Sequence, residues 1–282
     1  MTRSVLVPSS VCREAGDKRE ATRKLGYVAR AAAVYRADRL VVFDDPEGER
    51  QLGGGFVEAV LRYAATPPYR RKEAFGKRDE LEYVGVLPPL RLSSWTGSES
   101  SGSGSHREGI VTQVGSEGRV RVNCGMQHPV SLHLPDGMEV SEGERVTIRV
   151  SSRRPLRAKI VARPPPGFQV CARSIGSELD RPDAGFRVAT SRFGAPIGTS
   201  GLGGLTRRIR EDGLTVAFGS PERGLVPMLG VDAKAVGEFD PEESAAPGGF
   251  DAWLNTIPDQ GSEVVRTEEA MFASLACLTL TE

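Results

Sequence analysis

The sequence predicts an α/β domain that is interrupted by an all-β barrel, and two contrasting patterns carry this prediction. Near both ends of the chain, short unbroken apolar runs such as 4–7 and 214–218 alternate with amphipathic helices, which is typical of a parallel sheet covered on both faces. Between them, five short segments of alternating polarity are separated by glycine and proline, which favours a small five-stranded barrel of the OB-fold type. The predicted α/β domain comprises residues 1–90 and 166–282, and the inserted barrel comprises residues 91–165.

The first part of the α/β domain is predicted to be a strand, a helix and a second strand. The two strands are the apolar runs 4–7 and 39–43. Asp17 is expected to cap the intervening helix, with Glu20 three residues later in a capping-box arrangement. A second helix, with Phe56 at the start of its apolar face, is expected to end at two consecutive prolines.

The barrel begins after a serine- and glycine-rich segment, 93–105, whose composition predicts a flexible connection. Its strands are predicted at residues 110–114, 119–123, 130–134, 145–150 and 157–162. Three consecutive prolines and a glycine at 164–167 are expected to end this module.

The second part of the α/β domain is predicted to contain strands at 186–189 and 214–218. A helix is predicted at 205–210, after three glycines that are expected to lie outside it. Thr267 is expected to cap the last helix, and the acidic residues that follow it would lie at the positive end of the helix dipole.

Composition sets limits on the class of protein. The chain has 282 residues, of which 39% are hydrophobic and 26% are charged, as in a globular protein with a sizeable core. No apolar run is long enough for a membrane helix, and the first residues do not form a secretory signal. The four cysteines are widely spaced, so we expect a reduced, cytoplasmic protein without a membrane partner.

Basic residues are balanced overall but clustered locally. Lysine plus arginine and aspartate plus glutamate both number 37, so the net charge gives no general attraction to nucleic acid. Two clusters nevertheless predict phosphate contacts at defined places, although a solvated arginine-rich face would give the same composition. The candidate RNA-binding residues are Arg70, Arg71, Lys72, Arg149, Arg153, Arg154, Arg157 and Lys159.

Two polar loops near the carboxyl end are candidate ligand sites. The first, 218–225, follows a predicted buried strand, and its glycines would let backbone amides approach a ligand closely. The second, 255–263, leads towards the start of the last helix, where free N–H groups are displayed. An ordinary strand-to-helix turn and a surface connection remain the alternatives for these loops. Neither a Walker loop nor a dinucleotide fingerprint occurs.

Metal and histidine chemistry find little support in the sequence. Cys124, His128 and His133 are close in sequence, but their spacing fits no standard zinc site and a fourth ligand is missing. His106 is the one other histidine, so a nucleophilic triad is not indicated. We therefore expect no metal.

Several motifs together resemble one family. They are Val5-Leu6-Val7-Pro8-Ser9-Ser10, residues 27–34, Pro68-Tyr69-Arg70-Arg71, residues 85–91, residues 189–194, residues 218–225, Asn255-Thr256-Ile257-Pro258-Asp259-Gln260-Gly261 and Val265-Arg266-Thr267-Glu268-Glu269-Ala270. The chain resembles the SPOUT RNA methyltransferases, in the archaeal and eukaryotic branch that carries an OB-like barrel inserted in the knotted domain.

The resemblance implies a trefoil knot in the carboxyl-terminal part and a homodimer whose two chains complete each other's sites. It also implies S-adenosylmethionine (SAM) bound by three loops, 190–194, 219–224 and 255–267. The residues it assigns to the cofactor are Arg192, Gly219, Pro221, Gly224, Asn255, Thr256, Ile257, Gly261, Val264 and Thr267.

The function expected from the resemblance is SAM-dependent methylation of a base in ribosomal or other structured RNA, with a uridine ring nitrogen as one candidate acceptor. Arg266, Arg30 and Arg192 are the candidates for stabilising the developing anion. Glu268 or Glu269 is a candidate base, with complementation of the helix dipole as the alternative role. A non-catalytic RNA-binding or ribosome-assembly factor with the same fold is the alternative. An α/β enzyme that uses another nucleotide is the third interpretation, which the missing fingerprint weakens.

Overall fold

The computed structural model describes residues 1–92, 105–116, 118–153, 155–163, 167–237 and 247–280. The predicted flexible connection at 93–105 and the proline run at 164–166 lie, except for residue 105, outside the described residues. In the described part of the chain, no helix is both long enough and apolar enough to cross a membrane.

The secondary structure is mixed α/β. The strands are β1 (Arg3–Pro8), β2 (Arg39–Phe43), β3 (Ser105–Val114), β4 (Arg119–Asn123), β5 (Val130–His133), β6 (Arg145–Arg153), β7 (Leu156–Val161), β8 (Gln169–Ala172), β9 (Phe186–Pro196), β10 (Leu214–Ala217) and β11 (Ala252–Asn255). The helices are α1 (Lys18–Val34), α2 (Gly54–Ala65), α3 (Pro68–Ala74), α4 (Ile175–Leu179), α5 (Thr199–Asp212), α6 (Leu225–Met228), α7 (Ala233–Gly237) and α8 (Thr267–Leu278).

The chain divides into two compact units. The first consists of Met1–Ala65, Arg78–Pro89 and Phe168–Glu282, and the second of Thr66–Lys77 and Leu90–Gly167. These bounds differ from the expected 1–90, 91–165 and 166–282, because Thr66–Lys77 packs within the second unit. The Tyr69 hydroxyl donates to the carbonyl of Glu108 on β3, and the Arg70 guanidinium donates to the Glu108 carboxylate.

The first unit is built on a six-stranded parallel sheet with the order β11-β9-β10-β1-β2-β8. The central strand β1 pairs Val5 with Leu40 on β2 and with Val216 on β10. These side chains are almost completely buried because helices cover both faces of the sheet, as the unbroken apolar runs predict. The outer strands β8 and β11 were not predicted from the sequence.

The observed starts of α1 and α5 compare differently with the prediction. Asp17 accepts a hydrogen bond of 2.7 Å from the Glu20 amide, which confirms the predicted start of α1. On the buried face of α1, a Cβ atom added to Gly26 would lie 2.3 Å from Cδ of Pro88, so this close approach requires glycine. The prediction for α5 was too short at its start. The helix begins at Thr199 and includes the three glycines, whose exposed positions need no side-chain packing.

The second unit is a nearly closed, barrel-like antiparallel sheet with the order β5-β4-β3-β6-β7. Its interior is filled by apolar side chains such as Val122 and Ile148, and on β4 the alternate residues Arg119 and Arg121 are exposed. Glu108 is buried in this unit and is paired with Arg70 and Arg145, which compensates for the desolvation of its charge. The predicted five-stranded antiparallel architecture is thereby confirmed.

Candidate functional site

A cleft of about 190 Å³ lies at the carboxyl ends of β9, β10 and β11 in the first unit. Three chain segments line it: residues 190–193 within β9, the loop after β10, and the segment that runs from β11 into α8. The lining residues include Thr190, Arg192, Phe193, Phe218, Gly219, Ser220, Glu222, Arg223, Gly224, Leu254, Asn255, Thr256, Ile257, Glu263, Val264 and Thr267. The carboxyl edge of a parallel sheet is the usual location of a ligand in open α/β folds.

The loop after β10 is tightly folded. A Cβ atom at Gly219 would lie 2.5 Å from Cα of Gly224 and 2.7 Å from the backbone nitrogen of Leu225. The Gly224 amide donates to the carbonyl of Ser220, and Gly224 has a φ of +70°. Glu222 also has a positive φ, +66°, which is strained for a residue with a side chain. The loop therefore depends on glycine at 219 and on external contacts that hold Glu222.

Asn255 joins the first and third segments of the cleft. Its Nδ2 donates to the carbonyl of Arg192 over 3.1 Å, and its Oδ1 accepts from the Ile257 amide over 3.0 Å. The side-chain amide thus holds two backbone segments together.

Thr267 joins the second and third segments. Its hydroxyl donates to the carbonyl of Gly219 over 2.9 Å, so it does not cap α8 as the sequence predicted. Arg266 is the N-cap residue, and its amide donates to the side chain of Glu269. Directly after β11, the hydroxyl of Thr256 forms a hydrogen bond of 2.7 Å with the hydroxyl of Ser274 on α8. Side-chain hydrogen bonds therefore connect all three segments.

Most of the residues that the sequence assigned to a cofactor lie in this cleft. Those in the lining are Arg192, Gly219, Gly224, Asn255, Thr256, Ile257, Val264 and Thr267. Pro221 is a buried residue of the loop and Gly261 is exposed, and neither belongs to the lining.

None of the predicted catalytic residues Arg30, Arg266 and Glu268 lines this cleft. Glu268 is buried, with its carboxylate 3.2 Å from the ammonium of Lys24, and it lines a separate cavity of about 110 Å³ together with Arg266. Arg30 donates to the carbonyl of Pro89 from α1. The first turn of α8 separates the two sites because successive helical residues point in different directions.

Sequence reasoning missed several residues of the cleft. Ser220 is 5% exposed, and its hydroxyl has no hydrogen-bond partner among the described residues. Glu222 and Glu263 are exposed carboxylates, and Arg223 has an ion pair with the buried Asp45. The loop 218–225 was recognised from its sequence. The unpaired hydroxyl of Ser220 and the ion pair of Arg223 with Asp45 depend on the tertiary structure, so no pattern in the neighbouring sequence indicates them.

The ion pair of Arg187 and Asp251 lies at the amino-terminal ends of β9 and β11, away from the cleft, and it shifts the pKa of Asp251. Asp251, just before β11, accepts hydrogen bonds from the amide, Nε and Nη2 of Arg187. Burial acts to raise the pKa of Asp251, but these hydrogen bonds and the positive charge prevail and hold its pKa below the usual value. The charged pair therefore fixes the start of β11 against β9.

The predicted RNA-binding residues have different environments within the second unit. Arg70 is buried and paired with Glu108, so it is not placed to meet a phosphate, and Arg71 donates to the carbonyl of Thr66. Lys72 is exposed. The remaining described candidates lie on β6 and β7 around an open cleft of about 730 Å³ that includes Arg149, Arg157 and Lys159. Arg154 lies outside the described residues, and only the backbone of Arg153 is described.

Among the residues that the structure describes, no three histidine, cysteine, aspartate or glutamate side chains are close enough to hold a metal ion. All four cysteines are free thiols. Cys12 is completely buried, and this burial raises the pKa of its thiol far above the ordinary value, so it remains protonated.

The parallel sheet, with a cleft at its carboxyl edge, and the antiparallel unit define a two-unit α/β protein. The chain belongs to the family described as "Putative RNA methyltransferase", whose model matches residues 2–278. It is therefore a member of a methyltransferase family that acts on RNA.

Relatives extend from archaea to animals. An uncharacterized protein of Halobacterium salinarum is 75% identical over 283 residues, covering 100% of both chains. The human 28S rRNA (uridine-N(3))-methyltransferase is 29% identical over 315 residues, covering 98% of this chain and 77% of the human protein. The 28S rRNA (uridine-N(3))-methyltransferase of Drosophila melanogaster is 27% identical and is covered over 61% of its length.

Proposed function

We propose that this protein is a SAM-dependent methyltransferase that modifies a uridine ring nitrogen in ribosomal RNA. The observation that carries the proposal is the convergence of three carboxyl-terminal segments on one cleft, where Asn255 and Thr267 connect them. The family match and the names of the animal relatives support RNA as the substrate and uridine as the acceptor.

The residues of the cleft fit SAM chemically. Ser220 has a buried hydroxyl without a partner among the described residues, which a polar ligand atom would satisfy. Leu254, Ile257 and Val264 supply apolar surface for the purine ring. Exposed carboxylates at Glu222 and Glu263 would complement the positive charges of the ligand. These groups could hold the adenine, the sulfonium and the amino-acid end of the cofactor.

The chemistry requires mainly positioning. Bound SAM supplies a methyl group already attached to a good leaving group. The chain must hold the acceptor nitrogen in line, exclude water and stabilise the base as it loses its N–H proton. Arg192 lies at the cleft with its guanidinium 4.9 Å from the centre of the Phe193 ring, an arrangement suited to a base and its negative charge.

Arg30, Arg266 and Glu268 remain candidates for catalysis through a homodimer. Because they lie outside the cleft of their own chain, we propose that they act at the cleft of a second chain. Exposed apolar side chains on the first unit, Tyr27 and Val34 of α1 and Leu280 after α8, support such an interface. Sedimentation equilibrium of the purified protein tests the dimer, and a monomer at micromolar concentration would contradict it.

We further propose the SPOUT fold with its trefoil knot, an OB-like second unit and a cytoplasmic location. The proposal of the knot rests on the resemblance of the carboxyl-terminal motifs to this family. The hydrogen bond from Thr267 to the Gly219 carbonyl fastens the last helix to the loop after β10. The five-stranded sheet supports the OB-like assignment.

The second unit is proposed to bind the RNA backbone through Arg149, Arg157 and Lys159. The paired positions of Arg149 and Lys159 on β6 and β7 place positive charge along one edge of the open cleft. Such contacts would supply affinity without base recognition, and they would weaken steeply with salt.

The experiment is methyl transfer from labelled SAM to purified ribosomal RNA, followed by digestion and nucleoside analysis. The proposal predicts label in a uridine methylated at a ring nitrogen. Label in another nucleoside would contradict the acceptor. SAM binding without transfer to any RNA, or RNA binding without SAM affinity, would instead favour the non-catalytic alternative.

A further inference from the structure

We propose that Asp45 is a positioning residue for the cofactor cleft, acting through Arg223 on the loop 219–224. This inference rests on the proposed function for its readout of SAM affinity. Asp45 itself follows β2 and does not line the cleft, whereas Arg223 does. The two side chains meet with Nε of Arg223 3.1 Å from Oδ1 of Asp45.

The carboxylate of Asp45 is held rigidly. Its side chain is 3% exposed, and Oδ2 accepts a hydrogen bond of 2.5 Å from the Ser10 hydroxyl. The Asp45 amide donates to the hydroxyl of Ser9, and the Asp45 carbonyl accepts from the amide of Gly48. A Cβ atom at Gly48 would lie 2.0 Å from Oδ2, so this loop closes directly over the carboxylate. Asp45 is thus fixed to Ser9 and Ser10, in the turn directly after β1, and to its own loop.

The loop that Arg223 belongs to needs such an anchor. Its neighbour Glu222 has a φ of +66°, a conformation that costs about 1–3 kcal/mol and persists only where surrounding contacts impose it. Glu222 contacts Arg13 and Arg50 only at 4.0 and 3.4 Å and is half-exposed, so these ion pairs are weak. The Arg223 guanidinium meets Asp45 as an ion pair through Nε, and its Nη2 donates a hydrogen bond of 2.9 Å to Glu47, whose side chain is 81% exposed.

Among the described residues, the pair of Arg223 with the buried Asp45 is therefore the least solvent-exposed charged contact of this loop. In the described residues no other cation lies within ion-pair distance of Asp45, and a buried charge that loses its partner is strongly disfavoured. Asp45 consequently restricts where the backbone of Arg223 can lie. The adjacent backbone groups of Gly219 and Gly224 face the cleft, so the pair preorganises the loop for a ligand.

The test combines Asp45→Asn, Arg223→Gln and the double variant. Calorimetric titration should show that Asp45→Asn weakens SAM affinity on the order of tenfold. If Asp45 acts through Arg223, the same substitution should have little further effect in the Arg223→Gln background. Glu178→Gln is the matched control: it neutralises a buried carboxylate whose partner Arg39 lies at the opposite end of β2. It should lower stability without changing SAM affinity of the folded protein.

Hydrogen exchange separates this inference from the proposed function because it needs no cofactor. In the apo protein, Asp45→Asn should accelerate exchange of the Gly224 amide, which donates to Ser220, on the order of tenfold relative to Glu178→Gln. Unchanged exchange and unchanged affinity would overturn the role of Asp45. Additive effects of Asp45→Asn and Arg223→Gln would overturn the coupling. Failure of the wild-type protein to bind SAM would refute the proposed function, whereas the exchange result would still decide the role of Asp45.

Discussion

Gly219 offers the sharpest structural test of the cleft. In Gly219→Ala the new methyl group would lie 2.5 Å from Cα of Gly224 and 2.6 Å from its carbonyl carbon. Ordinary carbon contacts need about 3.5 Å, so the two sides of the loop must separate by roughly 1 Å. Both sides are backbone, and no side-chain rotation can relieve the collision. The separation also strains the hydrogen bond that the Gly219 carbonyl accepts from Thr267.

The expected loss is large for binding and moderate for stability. A displacement of about 1 Å in a positioned site costs up to about 100-fold, so we expect SAM affinity to fall by roughly 10- to 100-fold. Overpacking should lower the free energy of unfolding by about 1–3 kcal/mol. Isothermal titration with SAM measures the first quantity, and urea unfolding followed by circular dichroism measures the second.

Two further alanine variants separate collision from backbone strain. At Gly224 an added Cβ meets no atom within 4 Å, but the φ of +70° is unfavourable, so Gly224→Ala should cost about 1 kcal/mol of stability with a smaller loss of affinity. Gly203 lies exposed within α5 with open space around it, and Gly203→Ala should stabilise the protein by about 0.5–1 kcal/mol and leave SAM affinity unchanged. Wild-type affinity in a folded Gly219→Ala protein would show that SAM binding does not depend on the shape of the loop 219–224.

Three other predictions follow from the site and its surroundings. Ser220→Ala should leave the stability of the apo protein unchanged, because it removes a buried hydroxyl that has no partner among the described residues, and it should weaken SAM binding about fivefold. Thermal unfolding measures the stability and calorimetric titration the affinity, and a destabilised apo protein would contradict the expectation. The depressed pKa of Asp251 stabilises the fold above about pH 4, and this contribution is lost as pH falls through the lower folded pKa. Melting temperatures between pH 6 and 3 should therefore fall more steeply for the wild type than for Asp251→Asn, and parallel profiles would contradict the assignment. Arg157→Glu with Lys159→Glu should weaken RNA binding and reduce its salt dependence while SAM affinity stays constant; an unchanged salt slope in filter binding would remove this surface from the RNA site.

Much of the fold could be predicted because its strongest signals are local. The buried strands β1 and β2 are continuous apolar runs, and Asp17 caps α1 through a pattern visible in the sequence. The barrel strands have clear alternation between turns. The missed strands β8 and β11 are four residues long and lie at the two edges of the sheet. Such strands depend on one neighbour for their register, so their own sequence carries little signal.

The site was predictable only as far as it consists of contiguous loops. The segments 218–225 and 255–263 were recognised, and the structure brings both to one cleft. The hydroxyl of Thr267 looked like a helix cap, but it donates to Gly219, 48 positions away in the chain. Likewise, the sequence places Arg70 in an exposed basic cluster, whereas in the structure Arg70 is buried and paired with Glu108 on β3. Both roles are decided by tertiary contacts, which override local preference.

The most direct test of the central claim is a crystal structure of the protein with SAM or its demethylated product. Ligand density is expected in the cleft, in contact with the loop 219–224, with Ser220 and with the segment that begins at Asn255. Density elsewhere on the molecule, or a cleft that stays free of ligand at saturating concentration, would contradict it.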